Sequence, residues 1–79
     1  MSKNNNCIVA TASRKERIRL FKYLNELDIT TPEVDKYNGI QLILISDTHG
    51  VGNIGLICAD NLVNKHGYSF FQIMDDYLS

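Results

Sequence analysis

One proline, two histidines, two cysteines and no tryptophan are all that this chain of 79 residues carries of those types. Each scarcity excludes something. Two histidines and two cysteines, without close paired spacing, do not make a recognisable zinc site. Cys7 and Cys58 sit in apolar runs, where a free thiol behaves as a small hydrophobe, and nothing marks either as an activated nucleophile. No glycine-rich loop lets a pyrophosphate approach the backbone, so P-loop and dinucleotide motifs are absent. No run approaches the roughly 20 apolar residues that cross a bilayer. Met1 to Asn6 carries one lysine and three asparagines with no apolar signal core behind it, so the cytoplasm is the expected compartment and reduced thiols the expected state. The net charge of −1 excludes a surface built throughout for DNA, though not a local basic face.

What is present fits one small domain over residues 1–79, frayed over 1–6. At 44% hydrophobic and 22% charged, the chain has the composition of a folded domain rather than a disordered tail. A chain this short buries only about 60–65% of its unfolded surface, so its core is thin.

Cys7 to Thr11 is a short β-prone run. Ser13-Arg14-Lys15-Glu16 fits a capping box, in which the serine hydroxyl takes the amide three residues on and the glutamate reaches back. Behind it Ile18, Phe21, Leu24 and Leu27, with Leu20 beside them, predict an amphipathic helix from Arg14 to about Leu27. Asp28 and the Thr30-Thr31-Pro32 cluster end it. Pro32 to Asn38 reads as a polar connection.

Ile40 to Ala59 is the most densely apolar stretch and predicts a hairpin, with strands at 40–46 and 54–59 around a loop at Asp47 to Asn53. The first strand is apolar on both faces, which calls for cover on both sides or a second subunit on one. After Ala59 two readings compete for Asp60 to Gly67, a short helix stopped by Gly67 or a continuing strand. Tyr68 to Met74 alternates as a strand does. Ser69 to Gln72 is also a capping box leading into the helical stripe Phe70, Ile73, Met74, Tyr77 and Leu78, which favours a helix over 70–78. The expected fold is α+β: a small antiparallel sheet of three to four strands, one long amphipathic helix on it and a short C-terminal helix. Its alternative is the ferredoxin-like order βαββαβ.

Ile43-Leu44-Ile45-Ser46-Asp47-Thr48-His49-Gly50 resembles the first metal-binding motif of the calcineurin-like metallophosphoesterases. That resemblance implies Asp47 and His49 as ligands of a catalytic divalent ion that activates water. It covers eight of the 79 residues. The later motifs of that family have no counterpart, since Gly52-Asn53 is followed by Ile54 and His66 is the one other histidine. The segment is therefore read as a hairpin loop, where Asp and Gly have backbone reasons to occur, and no metal or cofactor is expected.

Arg14, Lys15, Arg17, Arg19 and Lys22 place five of the eight basic residues within nine positions. On a helix opened by Ser13, they are candidates for binding a phosphate, nucleotide or nucleic-acid backbone. The aromatics Tyr37, Tyr68, Phe70, Phe71 and Tyr77 do not fall in the two best strands, unlike the stacking residues of RNA-recognition sheets. The first expectation for function is a non-enzymatic interaction module, regulatory or inhibitory, that binds another protein and self-associates. Ile43, Ile45 and Ile57 are the expected self-association residues. The alternatives are anion or nucleic-acid binding by the basic helix and, more remotely, a metal-dependent phosphoesterase at Asp47 and His49.

Overall fold

A computed structural model of the chain describes residues 6–79, so the frayed start expected at 1–6 lies, but for Asn6, outside the described residues. Four strands and three helices follow in the order β1 (Cys7–Thr11), α1 (Arg14–Glu26), β2 (Gln41–Ser46), β3 (Gly50–Ile54), α2 (Leu56–His66), β4 (Ser69–Phe71) and α3 (Met74–Leu78). The sheet order is β3-β2-β1-β4. β1–β2 and β2–β3 are antiparallel, whereas β4 lies parallel to β1, so the sheet is mixed rather than wholly antiparallel. The βαββαβ order of the alternative is present with α3 added. Its ferredoxin-like arrangement is not, because α1 joins two antiparallel neighbours instead of crossing over between parallel strands.

The capping box forms as the sequence predicts. The Glu16 amide donates to Ser13 Oγ at 3.3 Å, and the Ala12 amide donates to Glu16 Oε1 at 2.7 Å. The helix is 13 residues long and ends before the proline is reached. Asp28 turns into the left-handed region at φ 64°, with the Ile29 amide on Leu24 O and the Asp28 amide on Asn25 O, the bonds of a Schellman motif. The buried stripe is Arg17, Leu20, Phe21 and Leu24, while Ile18 and Leu27 are exposed. A strict interval of three slips by about 60° per step around an α-helix, so those two residues drift off the face that Leu20 and Leu24 define.

The second strand of the hairpin comes earlier than the sequence reading placed it. β3 takes residues 50–53 of the expected loop together with Ile54, and the run expected as a strand over 54–59 is helix from Leu56 onward. Gly55 opens α2, and Gly67 closes it at φ 71° with a backbone bond to Leu62 O. A short apolar run such as Leu56-Ile57-Cys58-Ala59 has no periodicity of its own to distinguish the two states. The C-terminal ambiguity resolves into both readings in turn, a three-residue strand and then a helix that begins at Met74 instead of Phe70.

Strand register divides the sheet into two faces. Cys7, Val9, Ile43 and Ile45, with Val51 and Phe71, join Leu20, Phe21, Leu24, Met74 and Tyr77 in the core on the inner face under α1 and α3. Tyr77 packs edge-on to Phe71 and Tyr23, with ring centroids 5.3 and 6.0 Å away. The outer face carries Ile8, Ala10, Leu42, Leu44, Ile54 and Phe70, and α2 lies against it.

Candidate interaction surface

Arg17 is the residue whose placement departs furthest from its sequence reading. It is 1% exposed and serves as a tether rather than a member of a basic face. Nη1 donates to Thr11 Oγ1 at 3.2 Å and to Gly39 O at 2.8 Å, Nη2 donates to Tyr37 O, and the guanidinium stacks 5.9 Å from the Tyr37 ring centroid. The connection entering β2 is thereby fixed to α1 and β1. A guanidinium fork suits this, since several donors leave one rigid plane. Asp35 completes the clasp, taking hydrogen bonds from Gln41 Nε2 at 3.0 Å, the Tyr37 amide at 3.0 Å and Asn53 Nδ2 at 3.4 Å. The Gln41 bond, then those of Tyr37 and Asn53 and the Arg17 charge, hold the Asp35 carboxyl below its ordinary value despite desolvation.

The remaining cations are dispersed. Arg14 Nε donates to Asp35 O at 2.8 Å, and Arg19 pairs with Asp75 at 2.8 Å. Lys15 and Lys22 are exposed. At the start of α1, Ser13 Oγ takes the Glu16 amide and the Glu16 carboxylate takes the Ala12 amide just before the helix, so a carboxylate of the chain itself lies beside the place foreseen for an anion.

Asp47, Thr48 and His49 form the exposed turn between β2 and β3. Ser46 organises it, its Oγ accepting from the Thr48 and His49 amides, both at 3.2 Å, and lying 3.0 Å from the Tyr68 hydroxyl. Among the described residues no group of three or more His, Cys, Asp or Glu side chains is placed to hold a metal ion. Among the described residues Cys7, which is buried, and Cys58, which is exposed, form no disulfide.

Ile43 and Ile45, expected on a self-association face, are 0% and 2% exposed in the inner core and unavailable to a partner. The reason is parity. Odd-numbered positions of β2 face α1, and the other face is left short of cover. Ile57 is 86% exposed, as a self-association residue must be, but on a helix rather than a strand.

The uncovered surface lies on the outer face. α2 buries one of its own residues, Ala59, and leaves Leu56 at 68% exposed. Ile40 is 72% exposed, and Phe70 and Ile73 are about half so. Three shallow recesses join them. One holds Ile40, Leu42, Ile54 and Leu56, a second shares Ile40 and adds Ala10 and Ile73, and a third shares Leu56 and adds Phe70. Scattered exposed apolar residues are ordinary, whereas a continuous patch needs an explanation. Sequence reasoning missed Ile40, Leu56 and Ile73, although the two-sided apolar character of 40–46 had signalled an uncovered face. Comparison of the chain with family models, curated proteins and solved structures gave no match.

Proposed function

We propose that this chain is a non-enzymatic protein-interaction module that self-associates through the outer face of its sheet. The observation that supports this reading is the continuous apolar patch of Ile40, Leu42, Ile54, Leu56 and Ile73, left open by a helix too lightly seated to cover it. The recess that joins Ile40, Leu42, Ile54 and Leu56 is lined by no charged residue, as the centre of an interface is. Removing it from water is favoured by about 25 cal/mol per Å² of apolar area, against a typical requirement of roughly 800 Å² per partner. A second copy meets the patch with the same chemistry, in the isologous contact most soluble dimers use.

Sedimentation equilibrium of the wild type and of an Ile40→Asp, Leu56→Asp double variant tests the proposal. The wild type should sediment as a dimer, and the variant as a folded monomer with an unchanged circular dichroism spectrum. A monomeric wild type at the highest attainable concentration would refute it.

A further inference from the structure

On the inner side of the sheet, away from the apolar patch, a recess of about 320 Å³ opens between the connection at 32–35 and strand β3. Val51, Gly52 and Asn53 all line it. Three consecutive strand residues present both faces and the main chain between them, so one wall is the strand's own backbone. Among the described residues β3 has a hydrogen-bonding neighbour on one side only, β2, which leaves its outer edge open. That edge carries no lysine, proline or bulge, the devices that usually blunt a free strand.

Two further lining residues, Arg17 and Gln41, each hold a buried polar atom that has no hydrogen-bond partner among the described residues, Arg17 Nε and Gln41 Oε1. Such orphans are costly, and in a recess wall they point to a group that supplies the missing bonds. One orphan is a donor and the other an acceptor. Asp35 and Glu33 also line the recess, so a ligand carboxylate meets two negative charges, while an ammonium group offers no acceptor to Arg17 Nε–H. A neutral carboxamide matches all of this, with one carbonyl to accept and one NH₂ to donate.

We propose that this recess receives the side-chain carboxamide of an asparagine carried by an extended peptide that adds to the open edge of β3. The carbonyl oxygen accepts from Arg17 Nε–H and the NH₂ donates to Gln41 Oε1, two atoms shielded from solvent in the free chain that the recess wall uncovers as the peptide enters. Main-chain bonds to β3 supply affinity and the recess supplies selectivity, the usual division in strand addition. No covalent bond is made or broken.

The test is a titration of the ¹⁵N-labelled protein, followed by NMR, with the capped peptide acetyl-Thr-Val-Asn-Val-Thr-amide and its Ala and Asp counterparts at the central position. The Asn peptide should produce saturable shifts of the Val51, Gly52 and Asn53 amides and of the Arg17 Nε–H resonance. Each counterpart should bind roughly tenfold more weakly, as loss of paired buried hydrogen bonds requires. A Gln41→Met variant should keep a native spectrum and lose the preference for Asn. Equal binding of all three peptides, an unmoved Arg17 Nε–H, or no shifts at millimolar peptide would each overturn the proposal. The Arg17 resonance is read in the wild-type protein, so the proposal stays open to refutation even if the Gln41 variant misfolds.

Discussion

At the scale of single residues the decisive side chain is Arg17, which sequence reasoning counted among surface cations. Nothing in a local window separates a cation on the solvent face of a helix from one whose guanidinium is claimed by carbonyls 20 and 22 residues away. Its helical spacing to Leu20, Phe21 and Leu24 was the available sign, hidden because an arginine scores as polar. Arg17→Met should destabilise the fold by about 2–4 kcal/mol, since it takes the guanidinium donors from the carbonyls of Tyr37 and Gly39. Urea denaturation measures this, and a loss below about 0.5 kcal/mol, the size of an ordinary surface change, would mean that the tether carries no weight. Cys7 gives a second residue-scale consequence. Burial pushes its thiol from 9.0 up to about 12, and burial, with Cys7 and Tyr23 nearby, pushes the Tyr77 hydroxyl from 10.0 up to about 12. The folded state holds these protons more tightly than the unfolded chain, so their contribution is intact below pH 9.0 and is lost as pH rises toward about 12. Denaturation midpoints should fall across that window, and less steeply in a Cys7→Ala variant; identical slopes would contradict the assignment.

Among the elements, β1, α1 and β2 were legible because each carries a signal of its own. Alternation or an apolar run marks the strands, and a capping box with a helical stripe marks α1. The region from Ile54 onward was harder, because helix and strand there differ by tertiary context. Leu56 to Ala59 is equally apolar in either state, and the choice falls to Gly55 and Gly67 bracketing 11 residues. β4 is three residues long and owes its existence to pairing with β1. Among the described helices α2 buries the fewest of its own residues. It has no side-chain N-cap, and Gly55 takes an extended conformation, φ −79° and ψ 161°, with open space where a Cβ would stand. Gly55→Asp should therefore add a cap and remove unfolded-state entropy, stabilising α2 by roughly 0.5–1 kcal/mol. Native-state hydrogen exchange of the α2 amides reads the change directly. Unchanged or faster exchange would show that the helix start is not limited by its cap.

For the whole molecule, the unequal cover of the two sheet faces is the organising fact. Two helices and a pinned connection close the inner face, and one lightly seated helix partly closes the other. The sequence announced this imbalance through the two-sided apolar strand, but the side it assigned was inverted. Parity within β2 is relative until a neighbouring element fixes which face meets the helix. Ile43 and Ile45 therefore stand in the core, and Ile40 and Leu42 stand at the proposed contact. An isotope-filtered NOE experiment on an equimolar mixture of ¹³C-labelled and unlabelled protein tests that assignment most directly. The account predicts intermolecular contacts from the methyl groups of Ile40, Leu42, Ile54 and Leu56, and none from Ile43 or Ile45. Intermolecular contacts confined to other surfaces, or none in a concentrated sample, would contradict it.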